Sequence, residues 1–500
     1  MGFCTRCGQI DQNRELSSSF ERLALQPKIN PTQAARDRLE TLVSEITILS
    51  AHLKDLWAER DVVQAQLDAV AYPVLTLPPE VTTDIFLHCL PKSPHEPRPR
   101  LAPLLLGGIC RDWRAIALAT PRFWSVLRVK LDRYPTRPHV LAELLRTWLS
   151  RSGSQPLNLG LCYEDPPSAP SPEAVIHTLL LHAHHWEDVE LVLPHADMLR
   201  IFEDFFGRFP LLKKLELCQS EFGVRDPPCS FRNLRHSYEL RQFVVDGDTL
   251  HPLPNELPWA RLTRFHGFAV TVMQGFEVLR LAQSLEECTL DLKPSSLDVF
   301  PSPTQNTEMT LINLRSLKLF KMGMMFDGLG LLALLTLPAL QELHLAVDHN
   351  NIEDFLPFVS RSACTLSRLR ASFSLDETHF VRCLAALPNF LDLNLKFDLQ
   401  SLPLRLATIL NRRNGYLPRL ISLRIIAQGT EQNMGYQPLL DMLESRRDGT
   451  ESTARLQVFD LRFLAREIGP PEPVIVRRLQ ALEKQGMCIS VKLASGVQVP

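Results

Sequence analysis

The sequence predicts an α+β or α/β solenoid: helices over roughly the first 130 residues, then a long array of short strands joined by helical or irregular returns. Three observations lead there. Apolar residues alternating at spacings of three and four run through residues 31–72, which is a helical seam. After residue 131 a six-residue pattern, apolar-x-x-apolar-x-apolar, returns eleven times. The 38 prolines outnumber the 21 glycines, so many short elements are stopped abruptly.

Residues 1–30 read as loosely ordered. Their "CTRCG" holds Cys4 and Cys7, half of a zinc ribbon, but the next cysteine is Cys89, beyond a long helix. A structural zinc site needs four ligands, so the pair reads as two reduced thiols. A helix then starts at Asn30-Pro31, with Asn30 as N-cap and proline in the first turn. Leu39, Leu42, Ile46, Leu49, Leu53, Leu56, Val63, Leu67 and Val70 form the seam, Arg60 interrupts it, and Tyr72-Pro73 ends it. Residues 31–72 are a coiled-coil candidate through which two copies pair; the alternative is a single amphipathic helix.

Residues 74–130 form the next domain. "LPPEVTTDIFLHCLP", Leu77 to Pro91, is a short apolar helix, too short to be stable alone. The Pro-rich "KSPHEPRPRLAP" is an exposed loop. Beyond it Leu105, Ile109, Trp113 and Ile116 lie on one helical face; Thr120-Pro121 stops that helix, and Phe123-Trp124 starts another segment.

The remaining residues, 131–500, carry the repeats. They begin with "WEDVEL" at Trp186, "LKKLEL" at Leu212, "LRQFVV" at Leu240, "LTRFHG" at Leu262, "LEECTL" at Leu285 and "LRSLKL" at Leu314. "LQELHL" at Leu340, "LSRLRA" at Leu366, "FLDLNL" at Phe390, "LISLRI" at Leu420 and "LQVFDL" at Leu456 complete the series. Spacings of mostly 22 to 29 residues lie in the range of leucine-rich repeats. Each repeat supplies one strand whose alternate apolar residues enter a shared core, and the outward residues line a concave surface suited to a protein partner. By alternation these include Lys214, Glu216, Arg315, Lys318, Glu342, His344, Asp392, Asn394 and Arg424, with both signs mixed. The repeats are irregular: most lack the asparagine that usually follows the strand, and Gly267 and Ala371 weaken two of them.

Lysine plus arginine is 54 against 56 aspartate plus glutamate, a balance that gives no reason to expect a nucleic-acid or anionic-membrane partner. The longest apolar run, from Gly328, is shorter than the roughly 20 residues a membrane span needs. Eleven scattered cysteines, with no secretory signal ahead of them, point to reduced thiols in the cytoplasm or nucleus. No nucleophile elbow, phosphate-binding loop or His-Glu-x-x-His is present, and no cofactor is expected. The densest polar cluster, "HAHHWED" with His182, His184, His185, Glu187 and Asp188, reads as the polar end of a helix before the first repeat strand rather than a metal site.

The stretch Leu77 to Leu127 resembles an F-box of the divergent form abundant in mushroom-forming fungi. The matching residues are Leu77, Pro78, Glu80, Ile85, Phe86, Cys89, Leu90 and Pro91. Beyond the gap they are Ile109, Cys110, Arg111, Trp113, Arg114, Ile116, Ala117, Pro121 and Trp124. The preceding heptad helix and the leucine-rich tail are also similar to that family. The resemblance implies a three-helix unit that binds a Skp-family adaptor, and through it a cullin and a RING subunit, while the repeats take a protein substrate. The chain would then be a non-catalytic substrate receptor of an SCF-type ubiquitin ligase. Adaptor contacts are expected at Leu77, Pro78, Glu80, Val81, Ile85, Leu90, Ile109 and Trp113, with Trp113 and Trp124 also core anchors. Thr82 stands where the family has an aliphatic residue, and would weaken adaptor binding by about 1–2 kcal/mol if that site lies in the interface. The alternative is a coiled-coil and repeat scaffold that does not bind the adaptor.

Overall fold

The structure, a computed structural model, describes residues 31–69, 77–91, 96–133, 137–163, 172–219, 230–247, 249, 256–293, 308–321, 329–350, 352–373, 377–397, 402–427, 436–450, 453–464, 471–493 and 498–499. Cys4, Cys7 and Val70 lie outside these. The chain divides into two units, Met1–Pro78 and Pro79–Pro500.

The first unit holds one long helix, α1 (Pro31–Asp68). Its interior has no glycine or proline, and side-chain bonds at i, i+4 support it, from Gln33 to Asp37 (3.1 Å) and from Gln64 to Asp68 (2.8 Å). It ends at Asp68, before the expected stop at Tyr72-Pro73, and residues 70–76 are outside the described ones. The seam from Leu39 to Leu67 is exposed throughout, and so are Val43, Ile48, Trp57 and Val62, which stand off it.

The second unit is built on one sheet whose strands follow chain order. These are β1 (Val126–Lys130), β2 (Leu157–Cys162), β3 (Trp186–Leu193), β4 (Lys214–Gln219), β5 (Gln242–Asp246), β6 (Arg264–Val270), β7 (Glu287–Leu292) and β8 (Ser316–Lys321). They continue as β9 (Glu342–Asn350), β10 (Arg368–Phe373), β11 (Asp392–Phe397), β12 (Ser422–Ala427), β13 (Val458–Phe463), β14 (Cys488–Lys492) and β15 (Gln498–Val499). The first fourteen are parallel and only β15 runs antiparallel, so the array is an α/β, solenoid-like arrangement. Each of the eleven patterned segments is a strand. Three more, β1, β2 and β14, extend the parallel sheet at its two ends.

The register explains the pattern. The fourth residue of each motif falls in one continuous row, Leu127, Leu159, Val189, Leu215, Phe243, Phe265, Cys288, Leu317, Leu343, Leu369, Leu393, Leu423, Phe459 and Ile489. All fourteen are buried. A second buried row, from Val129 through Leu217 and Leu319 to Val491, lies two residues further on. The first apolar residue of each motif is buried at the mouth of its strand, as at Leu212, Leu285, Leu340 and Leu420. Residues between the rows point to the opposite, open face.

Helices and 3₁₀ turns return between strands and cover the buried rows, among them Val272–Leu281, which is capped by a reciprocal Thr271–Gln274 pair. The three-helix segment ahead of β1 shares this core: Trp124 meets Trp148 edge-on at 4.8 Å and lies under Arg151. The expected domain division after residue 130 therefore falls between β1 and the rest of its own sheet.

The connections are tied to one another by buried polar side chains. Arg446, almost fully buried, donates to three carbonyls of the preceding connection: Leu410 (2.7 Å), Leu417 (2.9 Å) and Tyr416 (2.6 Å). Burial, helped by nearby Arg412, lowers its pKa to about 10, so it stays charged at neutral pH. Arg446→Met takes a donor from each of those carbonyls, that of Leu417 keeping the Leu420 N–H at 3.2 Å, and urea unfolding is expected to show a loss of about 2–4 kcal/mol. Arg446→Lys should recover only part of it, because an ammonium lacks the planar fork that reaches three acceptors. An unchanged unfolding midpoint in either variant would show that the carbonyls find other donors.

Candidate functional site

Two surfaces stand out, one on the three-helix segment and one on the sheet. The segment comprises α2 (Pro79–His88), α3 (Leu104–Ile109) and α4 (Arg111–Ala119), followed by a 3₁₀ turn, Pro121–Trp124. Cys110 is extended, which separates α3 from α4, and its sulfur caps α4 by accepting the Trp113 N–H (3.5 Å). Arg114 closes the corner by donating to the Gly107 carbonyl at 2.7 Å. Inside, Phe86 meets Trp113 edge-on at 4.8 Å and Phe123 at 6.3 Å, while the Trp124 indole N–H donates to the Ala117 carbonyl at 2.8 Å. Such aromatic contacts are the main packing resource of so small a unit.

The segment nevertheless leaves large apolar side chains in solvent. Val81 and Ile85, one helical turn apart on α2, are 44% and 45% exposed; Leu77 just ahead of the helix is 37% and Ile109 on α3 is 54% exposed. Leu105, one turn before Ile109, is exposed as well. Of the other expected contact residues, Pro78 and Glu80 are exposed, whereas Leu90 and Trp113 are half-buried against the core and hold the segment together. Thr82 is only 3% exposed: α2 turns it inward beside Phe86, so the condition under which it would weaken a partner contact is not met within this chain.

The second surface is the open face of the sheet. Lys214, Glu216, Lys318, Glu342, His344, Asp392, Asn394 and Arg424 all stand on it, in the rows that alternate with the buried ones. Arg315 sits one residue ahead of β8, outside the rows. Sequence reading left out Arg128, Glu190, Arg370, Asp460 and Arg462, which occupy equivalent open-face positions on their strands and are found by the same alternation.

The signs on this face are segregated, not mixed. From β3 to β7 the rows hold Asp188, Glu190, Glu216, Asp246, Glu287 and Asp291 against Lys214 and Arg264. From β8 to β14 they hold Lys318, Arg368, Arg370, Lys396, Arg424, Arg462 and Lys492 against Glu342, Asp392 and Asp460. Each acid of the basic half has a nearby cation: Lys318 lies 3.7 Å from Glu342, Arg424 3.4 Å from Asp392, and Arg462 2.7 Å from Asp460. Arg368, Arg370, Lys396 and Lys492 have no ion pair among the described residues. On the acidic side Arg128 reaches across β2 to Glu190, passing over Gly160, where a Cβ would come within 3.0 Å of the arginine stem.

Two titrations follow burial first and the neighbouring charges second. Burial raises the Glu216 carboxyl, and neighbouring Glu190 raises it further. Burial lowers His344 to about 4, with Arg370 and Lys318 acting in the same direction, so this imidazole is neutral at physiological pH. A cavity of about 270 Å³ opens on the basic half, lined by Arg370, Asn394, Arg424, Ile426, Asp460 and Arg462. His182, His184 and His185 lie in and beside a 3₁₀ turn just before β3, and no group of three or more possible metal ligands occurs among the described residues. No described helix is long and apolar enough to cross a membrane.

The raised Glu216 has a sign that can be checked. The folded state holds its proton more tightly than the unfolded chain does, so the charge opposes folding at neutral pH. Glu216→Gln should raise Tm at pH 7 by about 1–2 °C, and the gain should vanish as pH falls through the ordinary carboxyl range. A lowered Tm at pH 7 would mean that Lys214 outweighs burial and the acidic neighbours.

No known protein-family model matches the chain, and no curated protein matches it, so its function must be read from its own residues and their geometry.

Proposed function

We propose that this chain is a substrate-receptor subunit of an SCF-type cullin-RING ubiquitin ligase. In this reading residues 74–130 are an F-box-like domain that binds a Skp-family adaptor, and the strand array is an irregular leucine-rich-repeat domain that binds a protein substrate. The chain recruits and does not catalyse; the adaptor connects it to the cullin and the RING subunit in the cytoplasm or nucleus.

The observation that carries the reading is the exposure of Val81 and Ile85 on α2, with Leu105 and Ile109 on α3, around a segment whose interior is already filled by Phe86, Trp113 and Phe123. Burying one such side chain fully is worth about 1.5–3 kcal/mol, so several of them left in solvent mark a surface completed by another protein. Val81, Ile85 and Ile109 coincide with positions through which the family resemblance places the adaptor. Glu80 adds an acidic rim in the first turn of α2.

The test is a pull-down of the full chain with purified Skp-family adaptor, beside the double variant Val81→Glu, Ile85→Glu. Both residues are exposed, so the variant should keep its circular dichroism spectrum while adaptor binding falls at least tenfold. A folded parent that ignores the adaptor sinks the ligase reading in favour of the coiled-coil and repeat scaffold.

The exposed seam of α1 favours self-association in either case. Leu42, Ile46, Leu49, Leu53 and Leu56 supply alternating three- and four-residue steps without a gap, which suits a two-stranded coiled coil. Sedimentation equilibrium of the full chain should give a dimer mass, and Leu49→Asp with Leu53→Asp should return the monomer. A monomeric parent across the micromolar range would leave α1 as a single amphipathic helix.

A further inference from the structure

We infer that the basic half of the open face, β8 to β14, binds an acidic segment of a partner protein, with one carboxylate side chain seated in the cavity between Arg370, Arg424 and Arg462. The inference deepens the receptor reading by naming a substrate class, and it rests on that reading only for calling the partner a substrate.

Three observations carry it. The first is the surplus of charge: the acids of this half are already paired, while Arg368, Arg370, Lys396 and Lys492 have no ion pair among the described residues. Register sets Arg370 and Arg424 in one cross-strand row and Lys396, Arg462 and Lys492 in the row two residues further on, so an acidic chain laid across β10 to β14 meets cations on every strand. The second is the cavity. Its volume of about 270 Å³ accommodates a carboxylate head with its methylenes, and three guanidiniums line it, the side chain best suited to carboxylates. Ile426 supplies an apolar wall for those methylenes. The third is an acceptor without a donor: Asp460 contributes one oxygen to Arg462, while its other oxygen, Oδ1, is buried and has no hydrogen-bond partner among the described residues. An acceptor of that kind inside a cationic cavity fits a backbone N–H beside the bound carboxylate, which a polypeptide carries and a simple anion does not.

The acidic half of the face, β3 to β7, supplies the contrast. There the acids surround Lys214, and Arg128 is drawn in to Glu190, so an acidic segment is repelled from that end and held in register at the other.

The experiment uses the full chain without adaptor, so that failure of adaptor binding and failure of this inference are separate results. A fluorescein-labelled decapeptide of alternating glutamate and glycine is titrated and its anisotropy followed, beside the same peptide with glutamine for glutamate. Saturable binding of the acidic peptide alone is expected, weakening as salt is raised. Arg370→Glu, at an exposed position, should weaken it about tenfold, and Arg424→Gln should also weaken it, while Lys54→Glu on α1 leaves it unchanged. Equal binding of the glutamine peptide overturns the inference, as does affinity undiminished in both arginine variants whose circular dichroism matches the parent. Absence of saturable binding to the folded chain also overturns it. Self-association that Arg370→Glu abolishes would overturn it too, because the occupant would then be the acidic half of a second copy.

Discussion

A parallel sheet fourteen strands long and one layer deep has to bury one face completely and can leave the other in water. That single requirement organises the second unit. Every strand gives two inward positions to rows that run the length of the sheet, and a one-residue slip in any strand would turn its whole inward set outward. The six residues of the motif therefore admit no insertion, whereas the connections vary freely in length and form. Gly267 shows how firmly the rows are kept. It leaves a gap in the second row, and Val270, brought back by a register shift at the end of β6, fills it so closely that a Cβ on the glycine would lie 2.8 Å from the valine methyl.

The returns are irregular, and their backbone groups are satisfied individually instead of by a repeated asparagine. Asn233 donates to the Ile201 carbonyl at 2.8 Å, Gln274 to Gly247 at 2.7 Å, Arg361 to Leu332 and Leu335 at 2.8 and 2.9 Å, and Arg446 to three carbonyls at once. Each bond spans about one repeat. The same need, a buried carbonyl requiring a donor, is met by a different side chain at each step. A fastener that changes identity from repeat to repeat leaves no periodic mark, which is why the array looks degenerate outside its strands.

The same distinction separates what the residues disclose from what they conceal. Eleven strands are legible because two inward positions and a leading apolar residue recur together. β14 escapes because Gly486, at φ +89°, replaces the leading residue to make a turn, and β2 because Pro156 does. β1 has the full pattern in Trp124, Leu127 and Val129, but it is concealed inside a stretch that reads as helical. Thr82 looks like a partner contact in the sequence, and only the rotation of α2 shows it turned inward. The charges of the open face read as mixed when taken one strand at a time. Their segregation emerges once register brings Glu190 beside Glu216, and Arg370 beside Asn394 and Arg424. The cavity needs side chains from four adjacent strands, a juxtaposition that no local pattern contains.

Trp124 has a part in both surfaces. As the leading apolar residue of β1 it is seated in the first turn of the sheet's core, and as the end of the 3₁₀ turn it is tied to α4 through its indole N–H. Phe123 beside it closes the aromatic interior of the three-helix segment. The exposed stripe of α2 is thereby packed onto the same continuous core as the open face, with no linker between them, since β1 follows Trp124 after a single residue. A tethering scaffold has no need of such a connection, because flexible linkage would serve it as well. A receptor that must present one partner to machinery held by another gains from it, because the bound segment is then delivered at a fixed distance and orientation. For the proposed receptor, the shared core, with Phe123 and Trp124 at the junction, ties the two surfaces to one body.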